Sequence, residues 1–152
     1  MGILLGAIAD DFTGATDLAN TLVRQGMPTV QSIGVPNLNF KLGKAAAVVI
    51  ALKSRNNPAT EAVKEARAGL KWLQAKGAQQ IFFKYCSTFD STDDGNVGPI
   101  ADALRKATGE SFTIAYPAFP SNGHTVYKGH LFGWRYSSQS IWYEKPSVDA
   151  ND

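Results

Sequence analysis

Apolar residues come in short unbroken runs, each followed by a polar cluster and then by a stretch of helical spacing. Ile3–Ala9 is the first run, and a strand buried on both faces reads this way. Beyond Asp10-Asp11-Phe12-Thr13-Gly14, the residues Ala15, Leu18, Ala19, Leu22 and Val23 recur at i, i+3, i+4, i+7 and i+8. That spacing predicts a helix with one apolar face. Gly26 stops it, and Pro28 keeps it stopped. Thr29–Val35 reads as a second strand, closed by Pro36 because proline cannot donate to a ladder. Ala46–Leu52 is another apolar run, ending at Lys53-Ser54-Arg55-Asn56. Asn57-Pro58 predicts an N-cap followed by proline at the first helical position. The helix behind it places Ala59, Ala62, Val63, Ala66, Leu70 and Leu73 on one face and ends at Gly77. Gln80–Tyr85 reads as the next strand and runs into a long polar loop, Cys86 to Asn96. Val97, Ile100, Ala101 and Leu104 mark a helix ending near Gly109, and Phe112–Tyr116 reads as a fifth strand. Pro117–Gly123 is rich in turn residues, and Thr125–Phe132 reads as a hairpin arm.

Strands alternating with helices of about 10–15 residues imply an α/β fold with a three-layer, mostly parallel sheet flanked by helices. In such sheets ligands bind outside the carboxyl ends of the strands. Four polar clusters follow strands here: Asp10-Asp11, Lys53-Ser54-Arg55, Lys84 to Asn96, and Ser121 to His124. Their convergence at one sheet edge is the expected functional site.

Composition narrows the classes. A chain of 152 residues favours one domain, or a piece of a larger protein. Apolar residues make up 44% and charged residues 18%, a globular balance. The net charge is only +2, and the basic residues form no run or face, which argues against nucleic-acid and membrane-surface partners. The apolar runs fall far short of the ~20 residues a membrane helix needs. Met1–Ala9 lacks a basic start and meets Asp10 at once, unlike a signal peptide. The single cysteine, Cys86, excludes an internal disulfide and suits a reducing, cytoplasmic compartment.

Each cluster carries candidate chemistry. Asp10 and Asp11 stand between a strand and a helix N-terminus. A carboxylate there can cap the helix, bind a metal or take a proton from a substrate hydroxyl. Arg55 presents a planar fork suited to a carboxylate, with Lys53 and Ser54 beside it. Lys84 ends an apolar run, where a cation needs a partner. Ser87, Thr88, Asp90, Ser91 and Thr92 add hydroxyl and carboxyl groups that suit a small polyhydroxylated anion. Without a ligand, the same loop satisfies its own backbone. Cys86 reads as a small core residue rather than a nucleophile. His124 and His130 lack metal-ligand spacing, and neither GxGxxG nor GxxxxGK[ST] occurs.

Three separated motifs carry a resemblance: Ile8-Ala9-Asp10-Asp11-Phe12-Thr13-Gly14-Ala15, Lys84-Tyr85-Cys86-Ser87-Thr88-Phe89-Asp90-Ser91-Thr92 with Gly95-Asn96, and Pro117-Ala118-Phe119-Pro120-Ser121-Asn122-Gly123. In this order they resemble the four-carbon acid sugar kinases, over about Met1 to Phe132. Tyr127-Lys128-Gly129-His130-Leu131-Phe132 looks most like the 3-oxo-tetronate kinase branch. The resemblance implies a Rossmann-like N-terminal domain that holds the acid sugar and a C-terminal domain that holds ATP. It implies phosphorylation of threonate, erythronate or 3-oxo-tetronate with ATP and Mg in the full-length family, and neither bound to this chain. Asp11 is the implied catalytic residue, with Asp10 as the alternative. Asp10, Thr13, Lys53, Ser54, Arg55, Lys84, Ser87, Thr88, Asp90, Ser121 and Gly123 are the implied substrate contacts, with no metal ligands. His124 stands where the family pattern has arginine.

The resemblance stops after Phe132. Back-translating Gly133 to Asp152 and dropping the first nucleotide explains why. Trp134, with its single codon, forces glycine at the second shifted position, and Trp142-Tyr143 forces glycine at the tenth. The other shifted codons permit a string that resembles the family's continuation. Residues 1–132 thus read as the acid-sugar-binding domain and 133–152 as an out-of-frame tail without helical or strand period, the ATP-binding domain being absent. The leading expectation is the substrate-binding half of a kinase, inactive alone and able to self-associate through the interdomain surface near Tyr127 and Phe132. A stand-alone acid-sugar-binding or interaction module is the alternative, and metal-dependent phosphatase chemistry on Asp10 and Asp11 a distant third.

Overall fold

The computed structural model describes residues 2–87, 94–128, 130–135 and 141–144, with backbone alone from residue 134 onward. Four parallel strands form the main sheet: β1 (Leu5–Ala9), β2 (Thr29–Ile33), β3 (Ala47–Ala51) and β4 (Gln80–Lys84), in the order β2-β3-β1-β4. Helices α1 (Phe12–Arg24), α2 (Ala59–Ala75) and α3 (Val97–Thr108) join and cover them. This is the three-layer α/β architecture that the alternating pattern predicts.

Side-chain alternation across the buried strands divides the core. Ile8, Val48 and Ile50 point to one face, where they pack with Ala62, Ala66, Leu70 and Leu73 of α2 and Ile100 and Leu104 of α3. Ala7, Ala9, Val49 and Ala51 point to the other and meet Ala15, Leu18, Ala19 and Leu22 of α1. β1 and β3 are central strands with covered faces, so their sequences are apolar runs rather than alternations.

Most element ends follow the expected signals. Gly109 closes α3 in the left-handed conformation (φ 77°) that a side chain resists, and its N–H reaches the carbonyls of Arg105 and Lys106. Pro58, not Asn57, occupies the N-cap of α2, and its carbonyl accepts from Glu61 and Ala62. No helix among the described residues is long and apolar enough to cross a membrane.

The stretch after α3 departs from expectation. Phe112–Tyr116 forms no strand. Phe112, Ile114 and Tyr116 are 71%, 79% and 69% exposed, so no core face claims the alternating side chains that suggested one. A hydrogen bond from Tyr116 N–H to Tyr85 Oη, at 2.9 Å, ties this segment beside the end of β4. A 3-10 turn (Pro120–Asn122) follows, then β5 (Thr125–Tyr127) and β6 (His130–Arg135), the expected hairpin. β6 continues past Phe132, and β7 (Ile141–Glu144) pairs antiparallel with it, so strand backbone runs through part of a stretch whose pattern shows no strand period. Tyr127 is exposed as expected, whereas Phe132 is half-buried where the hairpin pairs it with Thr125.

Candidate functional site

Parallel strands deliver their carboxyl ends to one edge, and three of the polar clusters meet there. β1 passes into Asp10 while still flanked by its neighbours. Asp10 N–H donates to Lys84 O at 3.1 Å, and Asp10 O accepts from Ser54 and Arg55 N–H at 3.0 and 3.2 Å. The ends of β1, β3 and β4 are thereby laced into one surface. The fourth cluster, Ser121 to His124, follows no parallel strand, so the topology that brings in the others does not deliver it.

Asp10 and Asp11 occupy different environments. Asp10 is 1% exposed, and Arg55 grips it with both prongs of its fork: Nε donates to Oδ2 at 3.1 Å and Nη2 to Oδ1 at 3.0 Å. A buried carboxylate is costly unless paired in this way. The arginine lies above its ordinary pKa, chiefly through the hydrogen bond to Asp10, so it stays charged. Asp11, one quarter exposed, caps α1: its Oδ1 accepts from Gly14 N–H at 2.8 Å and sits 3.0 Å from Arg55 Nη2. Its Oδ2 has no partner among the described residues. Gly14 is required by this closeness, since a Cβ there would stand 2.7 Å from Asp11 Oδ1. Arg55 is therefore a clamp on two aspartates more than an open fork awaiting a carboxylate.

Ser54 adjoins them with its side chain fully buried, and its Oγ has no hydrogen-bond partner. Buried hydroxyls are usually hydrogen-bonded, so Ser54 stands out among the residues at this edge. Lys84 Nζ donates to Tyr85 O at 2.7 Å, and a Cβ on Gly14 would lie 3.4 Å from it. The ammonium thus hangs over the start of α1, with no carboxylate in ion-pair range among the described residues.

The other expected residues that the structure describes lie on several elements. Thr13 is exposed on the first turn of α1, beside Phe12 and Thr16 in an open hollow. Lys53 turns to a shallow cavity of about 260 Å³ with Phe12, Ile33, Val35, Leu52 and Glu65. Ser87 is half-buried just past β4. Thr88 and Asp90 lie outside the described residues. Ser121 is exposed in the 3-10 turn, and Gly123 ends it at φ 73°. At this edge of the sheet one buried polar residue was not among the expected contacts: Asn96, 5% exposed, donates from Nδ2 to the carbonyls of Ser54, Arg55 and Asn57 at 2.6, 3.0 and 3.2 Å. The sequence marks Asn96 as the end of the polar loop and part of the Gly95-Asn96 motif, but not the role it plays here.

Taken together, the fold and site define a parallel α/β domain with a charged, partly buried edge at the strand ends. The chain belongs to the sugar-binding N-terminal domain family, whose model matches residues 5–146. It is 63% identical to the 3-oxo-tetronate kinase of Cupriavidus necator over 131 residues, covering 85% of this chain and 30% of that protein. A crystal structure from Salmonella typhimurium LT2 superposes with a TM-score of 0.81 at 57% identity, over 86% of this chain and 31% of that one. That structure bears a provisional tRNA-synthase name, which the tetronate-kinase relative does not share. A Bordetella bronchiseptica structure, a domain-swapped dimer with bound citrate, matches at TM-score 0.70 and 33% identity, over 86% of this chain and 33% of that one. The chain spans about 30% of the length of the curated relatives it matches.

Proposed function

We propose that this chain is the acid-sugar-binding part of an ATP-dependent kinase acting on a four-carbon acid, 3-oxo-tetronate by preference over threonate or erythronate. The observation that carries the reading is the Asp10–Arg55–Asp11 cluster at the strand ends, with the partnerless Ser54 hydroxyl buried beside it. The relatives' activity supplies the substrate class. Citrate in the Bordetella structure supports a carboxylate ligand for the fold.

In this reading Asp11 is the group that orients the acceptor hydroxyl and takes its proton. Asp10 has both oxygens on Arg55, whereas Asp11 keeps Oδ2 for a substrate. Lys84 and Ser54 bind the acid, and Thr13, Lys53, Ser87, Thr88, Asp90, Ser121 and Gly123 are further candidates. ATP and Mg are implied by the kinase relatives. Asp10 is already committed to Arg55. The chain by itself is proposed to be a binder without kinase activity, and the cytoplasm suits its single cysteine, Cys86.

Calorimetric titration of the folded chain with 3-oxo-tetronate and D-threonate tests the reading. Saturable binding that Asp11→Asn weakens, with no phosphorylated product when ATP is added, is expected. A folded chain that binds neither acid would sink it. Product formed from ATP would refute only the claim that the chain is inactive alone.

Residues 133–152 are proposed to be out of frame. The relatives match over 128–132 residues, whereas the family model reaches 146, so the two disagree about this stretch. Deleting 133–152 should leave the thermal midpoint of the main sheet unchanged within a few degrees, and a large loss would show that the tail belongs to the fold. Self-association of this chain is also proposed, through Phe112, Ile114, Tyr116 and Tyr127, all exposed. The domain-swapped Bordetella dimer supports it.

A further inference from the structure

We propose that Asn96 is a positioning residue that sets Arg55, and through it both aspartates. Its Nδ2 carries two hydrogens and faces three carbonyls of one turn, those of Ser54, Arg55 and Asn57. Oδ1 placed there would meet three acceptors, so the amide must present its nitrogen. The turn it holds is the one whose Ser54 and Arg55 N–H groups bind Asp10 O, while the Arg55 side chain returns to Asp10 and Asp11. Asn96 thus fastens the far side of the turn, and Asp10 the near side.

The residue also forgoes its ordinary task. Asn96 is the N-cap of α3, where asparagine favours accepting from the first helical turn, yet it makes no side-chain cap bond. Only its carbonyl serves the helix, accepting from Ile100 N–H at 3.0 Å. The side chain is spent on the turn after β3 instead. Movement at the start of α3 is thereby coupled to the Arg55 clamp, two parts of the site that the sequence separates by about forty residues. The consequence for substrate rests on the acid-sugar reading above, but the coupling itself does not.

Asn96→Asp separates positioning from shape. Aspartate is isosteric and caps helices well, but it cannot donate to the turn. In the ¹⁵N-labelled chain, the Arg55 Nε–H signal should exchange with solvent at least ~10-fold faster in Asn96→Asp, because a freed turn opens without global unfolding. Amides of β1 and β3 should keep their protection. Retained Arg55 Nε–H protection in a folded variant would overturn the proposal. If the variant does not fold, the unaltered chain decides. There, the Arg55 Nε–H and the Ile100 amide should open together as denaturant is raised, and independent openings would overturn it. D-threonate affinity should fall in parallel with lost Arg55 protection. If the exchange results hold but the unaltered chain binds neither D-threonate nor 3-oxo-tetronate, the substrate reading fails and the positioning role stands.

Discussion

The four-stranded sheet and residues 112–127 both hold aromatic and branched residues but use them in opposite ways. In β1 and β3, Ala7, Ile8, Val48, Val49 and Ile50 are wholly buried between two helical layers. In 112–127, Phe112, Ile114, Tyr116 and Tyr127 are all at least 65% exposed. An apolar residue stabilises a fold only where another surface removes it from water. The first region carries its covering helices in the same stretch of chain, and the second does not.

That contrast sets the largest expected effect. Ile50→Ala or Leu73→Ala should cost about 2–5 kcal/mol, because each removes fully packed volume from the core. Ile114→Ser should change stability by no more than about 0.5 kcal/mol, as at other exposed positions away from special features. Urea unfolding of the three variants checks the pair. A loss at Ile114 comparable to that at Ile50 would mean that another copy or segment covers the second region in solution.

The next effect lies inside the first region, where a polar cluster is buried at its edge. Arg55→Met leaves Asp10 enclosed without its partner. Removing one member of a buried pair costs about 3–5 kcal/mol, and the partly exposed Arg55 places this case toward the lower end. A double variant, Arg55→Met with Asp10→Leu, should recover much of that loss while still abolishing acid binding. Equal stabilities for the single and double variants would show that the pair is solvated rather than buried.

The region boundary was legible in part, and the reason is physical. Continuous apolar runs such as Ala46–Leu52 mean burial on both faces, and the parallel order then brings Asp10, Asp11, Ser54 and Arg55 together without further information. Phe112–Tyr116 shows the same residue types, but a strand needs a neighbour, and no local pattern reveals whether one is present. The role of Arg55 was half visible. Its fork suited a carboxylate, but that the carboxylates are Asp10 and Asp11 depends on how β1 and β3 are joined. Asn96 was hidden because its three acceptors are backbone carbonyls, which every sequence contains.

The smallest effect concerns the hydrogen bond that ties the two regions together. Burial raises the pKa of Tyr85 above its ordinary 10.0, partly offset by the hydrogen bond from Tyr116 N–H. The folded state then holds the phenolic proton more tightly than the unfolded chain does. Stability from this group is intact below pH 10 and is lost as pH rises through the higher folded-state value. Tyr85→Phe should flatten the stability profile above pH 10 and free the Tyr116 segment, with little change at neutral pH. An unchanged alkaline slope would place Tyr85 in water.

The central claim is that the carboxyl ends of β1 and β3 bind a four-carbon acid. Titration of the ¹⁵N-labelled chain with D-threonate, followed amide by amide, tests it most directly. The account predicts saturable shifts at Asp11 to Gly14 and at Ser54 and Arg55, abolished by Arg55→Met. Saturable shifts confined to the shallow cavity beside Ile33 and Val35, or none from a folded chain with either D-threonate or 3-oxo-tetronate at millimolar concentration, would contradict it.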